Sequence, residues 1–159
     1  MAEPTNAIEM DFVVVSEDYS RYLLKDGTTL KAKIVVRKIF RVGDITPQGY
    51  PQGIFLDYAN IATSIVPPSL RGPASGLFDA KREVGEEIKF DAIDEKTQEY
   101  VTNDGYKITV KPVLTKVIKY TKFNDFGDPI YSASVQAITN MERFATTATR
   151  QPSQIGSSV

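Results

Sequence analysis

A hairpin that recurs at a fixed distance constrains this chain more than any other feature. Tyr22–Val42, YLLKDGTTLKAKIVVRKIFRV, reads as two strands around a tight turn, and Tyr100–Tyr120 reads as an altered copy. Asp26-Gly27 lies between two runs of strand formers, and Asp-Gly is preferred in two-residue type I′ turns, whose central residues need positive φ. Such a turn would set Lys25 opposite Thr28, Leu23 opposite Leu30 and Tyr22 opposite Lys31, leaving Leu23 and Leu30 on one face as period-two burial requires. Moving on by 78 residues (104 − 26 = 78) reaches Asp104-Gly105 and pairs Val101 with Ile108 and Tyr100 with Thr109.

At this offset ten of the forty positions from 12 to 51 are identical, among them Phe12/Phe90, Glu17/Glu95, Tyr22/Tyr100, Lys38/Lys116, Gly49/Gly127 and Pro51/Pro129. Roughly two or three identities would arise from ordinary composition. Unrelated hairpins would share the turn but not Phe12, Gly49 or Pro51, so the pattern predicts a tandem duplication. Dropping two residues further on aligns Ile54 with Ile130 and Phe55 with Tyr131.

Each copy reads as a four-stranded meander. In the first, the strands are MDFVVV (10–15), Ser16–Lys25, the long Thr28–Val42 and Ile54–Val66. One face of each meander is apolar, and a lone meander would leave it wet. The pattern therefore predicts an all-β fold in which two repeats pack about a pseudo-twofold axis as an eight-stranded antiparallel barrel or a two-sheet sandwich. The expected organisation is a polar lead-in (1–9), repeat 1 (10–66), a Pro/Gly-rich connector (67–87), repeat 2 (88–144) and a polar tail (145–159), with both repeats in one domain. Leu77, Phe78, Lys81 and Val84 have weak helical spacing that Gly85 would stop. Pro112, inside a long strand, needs an edge, a bulge or a sheet corner.

Composition removes whole classes of chemistry. The chain has no histidine and no cysteine, so the commonest neutral-pH base, the commonest transition-metal ligand and thiolate chemistry are all excluded. No cofactor motif is present, and no cofactor or metal is expected. Nineteen Lys and Arg against twenty Asp and Glu give a net charge of −1, which disfavours nucleic-acid binding through bulk charge while allowing a local patch. The N-terminus has no signal-peptide pattern and no apolar run approaches a membrane span, so a cytoplasmic chain without membrane contact is expected.

Three groups of residues are candidates for binding. Lys38 and Lys116 fall in the inward series of the two long strands. An ammonium there is costly unless a bulge turns it out or an anion meets it in a central cavity. Tyr50 and Arg71, in loops that differ between the copies, could cradle a planar or anionic ligand. Tyr22, Lys31, Lys33, Arg37 and Arg41 on the first hairpin, with Tyr100, Lys107, Lys111 and Lys119 on the second, interleave basic and aromatic groups as single-strand nucleic-acid binders do. Acidic groups such as Glu83 with Glu86-Glu87 lack any EF-hand spacing and read as surface turns.

The leading expectation is a non-catalytic all-β binding or assembly module acting through its surfaces as a homo-oligomer, with a protein partner as a further possibility. Val35, Ile39, Val113 and Val117, apolar in the alternate register, suggest a face that needs covering. The alternatives are a nucleic-acid-binding barrel using the Tyr and Lys faces, and an enzyme working with Lys and carboxylates in a barrel cavity.

Overall fold

The computed structural model describes residues 7–45, 47 and 51–143. Among these residues ten strands form two five-stranded antiparallel sheets. The first half of the chain supplies β1 (Ala7–Met10), β2 (Phe12–Ser16), β3 (Ser20–Leu24), β4 (Thr29–Ile45) and β5 (Pro51–Ile65). The second supplies β6 (Gly85–Glu87), β7 (Phe90–Asp94), β8 (Gln98–Thr102), β9 (Tyr106–Phe123) and β10 (Pro129–Arg143). Among the described residues β5 pairs only with β4 and β10 only with β9, so the sheets are open: the sandwich holds and the barrel does not. Tyr50 and the 145–159 tail lie outside the described residues.

The meander expectation fails at its first strand. Asp11 divides it into β1 and β2, which belong to different sheets: β1 pairs with β4 of its own half, whereas β2 pairs with β8 of the other. β6 and β7 repeat the arrangement, β6 on β9 and β7 across on β3. The Asp11 carboxylate accepts the Phe12 N–H (2.9 Å), and its carbonyl accepts the N–H of Asn103 in the other half (2.9 Å). Lys89, 78 residues on, accepts the Lys25 N–H at the same 2.9 Å. Crossing lets one short segment fill two sites. Met10 is buried in the core, and Phe12 meets Tyr100 edge to face at 5.8 Å. β1 also begins inside the stretch read as a lead-in.

Two core clusters result. One joins Ile34, Val36 and Ile39 of β4 to Ile108 and Val110 of β9. The other joins Leu30 of β4 to Leu114 and Val117 of β9. Each cluster therefore sets one half of β4 against the opposite half of β9, with Tyr100 in the first and Tyr22 in the second.

The hairpin turn is longer than expected, and this moves functional residues. Leu24 N–H bonds to Thr28 C=O (2.8 Å), enclosing the three-residue loop Lys25-Asp26-Gly27 with Gly27 at φ 94°. A three-residue loop ending on a left-handed Gly is the next commonest hairpin after the two-residue one. It sets Tyr22 opposite Leu30 rather than Lys31, and Tyr100 opposite Ile108 rather than Thr109. One residue of slip reverses the faces of a strand. Tyr22 and Tyr100 are thus buried, and Leu23 is turned to solvent.

Bulges reverse the faces again midway along the long strands. Val36 pairs with Tyr58 and Lys38 with Asp57, so Arg37 is the extra residue; Leu114 and Lys116 bracket Thr115 in the same way. A bulge shifts the alternation by one. Ile39 and Val117 accordingly lie fully in the core, at 0% exposure, which overturns their expected place on an uncovered face. Val35 and Val113 are half-buried. The expected two-residue deletion is also off by one: Phe40 pairs with Phe55, and Ile118 with Ser132, a shift of 77 (132 − 55).

Gly85 opens β6 and stops no helix. A Cβ there would lie 2.5 Å from Ile118 Cγ2, so only glycine lets β6 approach β9 this closely. The connector's single helical element is a 3₁₀ turn at Pro68–Leu70. Phe78 anchors the connector instead, edge to face on Tyr120 at 4.9 Å.

Candidate functional site

The two buried tyrosines close the sandwich and leave no aromatic for a nucleic-acid face at positions 22 and 100. Tyr100 donates to Glu17 (2.7 Å), and Tyr22 donates to Glu95 (3.2 Å), so each half's tyrosine bonds to the other half's glutamate. Burial pushes both phenols above their ordinary pKa, and the adjoining glutamates add to the effect. Gln98, fully buried, spans the sheets from β8. Its Oε1 accepts the Ile34 N–H (2.8 Å), and its Nε2 donates to the Ile34 carbonyl and to the Tyr100 hydroxyl.

A polar cluster joins the first hairpin turn to the second sheet. Asp26 Oδ2 accepts from Tyr131 (2.6 Å) and lies 2.9 Å from Lys119 Nζ, while Oδ1 accepts the Thr28 N–H (3.0 Å). Burial pushes the Asp26 carboxyl upward, but the hydrogen bonds from Tyr131, Lys119 and Thr28 outweigh it and hold its pKa at about 2. A carboxylate depressed on folding contributes stability above its unfolded pKa of about 4 and loses it as pH falls towards 2. The expected contribution is about 2 kcal/mol. Urea unfolding from pH 6 down to pH 2 checks it, because Asp26→Asn would flatten the acid limb. Lys119 also borders a depression of about 550 Å³ with Glu86, Glu87 and Tyr120.

Lys38 and Lys116 are both exposed beside their bulges. Lys38 Nζ lies 3.4 Å from Glu9, so the chain places neither lysine in the core. Arg71 Nε sits 3.3 Å from Asp128 Oδ1, and the neighbouring Gly72 N–H bonds to Gly127 C=O (3.0 Å). Arg71 thereby ties the connector to the loop before β10. Among the described residues no three carboxylates converge on a metal position, and no helix is long and apolar enough to cross a membrane.

The basic residues divide. Arg37 makes a two-point ion pair with Asp57 (2.8 and 3.2 Å), Lys107 meets Glu99 at 3.7 Å, and Lys119 is held by Asp26. Arg41 is half-buried on β4 opposite Ile54, and Lys111 is exposed. Lys31 and Lys33 are different: both ammonium groups lie 4.7 Å from the ring of Tyr19. Tyr19, expected within the strand Ser16–Lys25, sits instead in the corner before β3, which begins at Ser20. The signal available was its closeness to Arg21, which pairs directly across from Lys31.

The remaining surface feature is the free edges. β5 and β10 are 15 residues each and, among the described residues, are hydrogen-bonded along one side only. Asp57 is the one charge in β5, and β10 carries none before Glu142. Ile65 is 54% and Ile138 57% exposed.

The chain matches no protein family, no curated protein and no solved structure.

Proposed function

We propose that this protein is a non-catalytic assembly module whose copies join edge to edge through β5 and β10. The observation that carries this reading is the length and chemistry of those edges. Exposed edge strands template pairing with another chain, and proteins that must stay apart blunt them with Lys, Pro, bulges or short length. Here the runs YANIATSI (58–65) and IYSASVQAITNM (130–141) contain no charge, proline or glycine. A second copy offers the same edge, so pairing of like edges closes a dimer, whereas pairing β5 with β10 propagates a chain.

The two sheets have the further character of a duplicated unit. Strand starts at 7, 12, 20, 29 and 51 correspond to 85, 90, 98, 106 and 129, displaced by 78 or 77 residues. In this reading a single-sheet ancestor paired with itself before the genes fused, and edge pairing continues that habit.

Sedimentation velocity at micromolar concentration tests the assembly. The unaltered protein is expected to form dimers or larger species. Lysines at exposed edge positions (Ser134→Lys with Gln136→Lys in β10, Asn60→Lys with Ala62→Lys in β5) should yield monomers of unchanged melting temperature. A monomeric unaltered protein overturns the proposal.

A further inference from the structure

The outer face of the first sheet carries charge that nothing in the described chain neutralises. Lys31 and Lys33 project from the same face of β4, two residues and roughly 7 Å apart, and Tyr19 lies between them, 4.7 Å from each ammonium. Arg21 stands directly across from Lys31 on β3, an opposition of like charges that destabilises a sheet. Asp94, the neighbour of Arg21 on β7, is instead held by Lys96 at 3.1 Å. Among the described residues none of Arg21, Lys31 and Lys33 has a carboxylate within ion-pair distance.

The second sheet shows that the fold does not require this arrangement. Seventy-eight residues on, Tyr19, Arg21, Lys31 and Lys33 become Thr97, Glu99, Thr109 and Lys111. Formal charge falls from +3 to 0 (one Lys, one Glu), and Glu99 is satisfied by Lys107 at 3.7 Å. The same backbone is thus built once with balanced charge and once with three cations that have no carboxylate partner among the described residues, two of them over an aromatic ring.

We propose that Tyr19, Arg21, Lys31 and Lys33 form a binding site for phosphate groups, carried either on a small phosphate ester or along a nucleic-acid strand. A phosphate supplies three strong acceptors and up to two negative charges, enough to bridge the ammoniums and the guanidinium together. A carboxylate offers two oxygens and one charge and would leave the cluster partly unneutralised. The Tyr19 ring offsets some repulsion between the lysines through cation–π attraction and holds both ammonium groups on one side of the sheet. Lys31 and Lys33 stand one strand in from the open edge of β5, opposite Thr63 and Ile61. The site uses side chains on the sheet face, whereas assembly uses the backbone groups of the edge, so the two readings are tested by different variants.

The test is a titration of the ¹⁵N-labelled full chain with pyrophosphate, and in parallel with a short oligothymidylate, at low salt. Shifts are expected at residues 19–22 and 30–34, and Lys31→Gln with Lys33→Gln should weaken binding about tenfold or more, given what charge-assisted bonds contribute. Tyr19→Leu should weaken it less, and Lys111→Gln not at all, with the amide spectrum otherwise preserved in each. Saturation by pyrophosphate alone identifies a small ester as the ligand class. Tighter, steeply salt-dependent oligonucleotide binding identifies a strand. No localised shift with either probe, or equal binding by the double lysine variant, overturns the site.

Discussion

Gln98→Leu is expected to lower the stability of the fold by about 2–5 kcal/mol, because it strips partners from two buried backbone groups at once. β3 covers β4 from Thr29 to Ala32 and β1 covers it from Ile39 to Val42, leaving an uncovered stretch between them. Ile34, at 0% exposure, lies in that stretch, and the Gln98 amide takes the place of a strand there by bonding both its N–H and its C=O. The other sheet has the same gap with a different solution. Its counterpart of Ile34 is Pro112, which has no N–H to satisfy, and its counterpart of Gln98 is Ser20, whose hydroxyl accepts the Lys96 N–H at 2.8 Å. Pro112, expected at an edge, a bulge or a sheet corner, lies buried within β9, opposite Ala137, in the stretch between the ends of β8 and β6. Urea unfolding checks the prediction: leucine fills a similar volume, so a loss under about 1 kcal/mol would show that the amide bridge is dispensable.

Ile39→Ala carries the second large expectation, a loss of about 2–5 kcal/mol by removing buried methyls and leaving a cavity. Val35→Ala, at a half-buried position two turns of the alternation earlier, should cost about 1 kcal/mol. The contrast tests the bulge at Arg37. Without it, residues 35 and 39 would share a face and the two substitutions would cost alike. Thermal unfolding of the pair, with Val117→Ala as the second-sheet equivalent, measures the difference.

The all-β class, the antiparallel pairing, the location of both turns and the extent of the long strands were legible because they rest on local chemistry: Asp-Gly, β-branched runs and alternation. The faces were not. Asp26-Gly27 suits a two-residue and a three-residue loop alike, and the choice is decided by what each register buries. Tyr22 can reach Glu95 only from the other half of the chain, a contact that local pattern does not contain. Lys38 on an apolar series did signal the bulge, and the structure turns it outward as the milder expectation required. Val14, at 48% exposure, shows the converse limit, since an apolar alternation does not tell that its strand sits at a rim. Among the binding candidates, Lys31 and Lys33 were found from charge on alternate positions, whereas Tyr19 needed the third dimension.

The crossing of β2 and β7 governs how this chain can emerge from a ribosome. Phe12 pairs with Thr102, which is translated 90 residues later (102 − 12 = 90). At about 5–20 residues per second the interval is on the order of ten seconds. During it the nascent first half lacks both the partner of β2 and the strand that covers β3, so Tyr22 and Leu24 stay wet and the edges of β3 and β4 stay open. Non-local pairing is slow even once the chain is complete. On a polysome, where neighbouring nascent chains expose the same unfinished first half, the nearest β7 can belong to another polypeptide. Correct folding within one chain then depends on the tether between the halves outrunning that encounter.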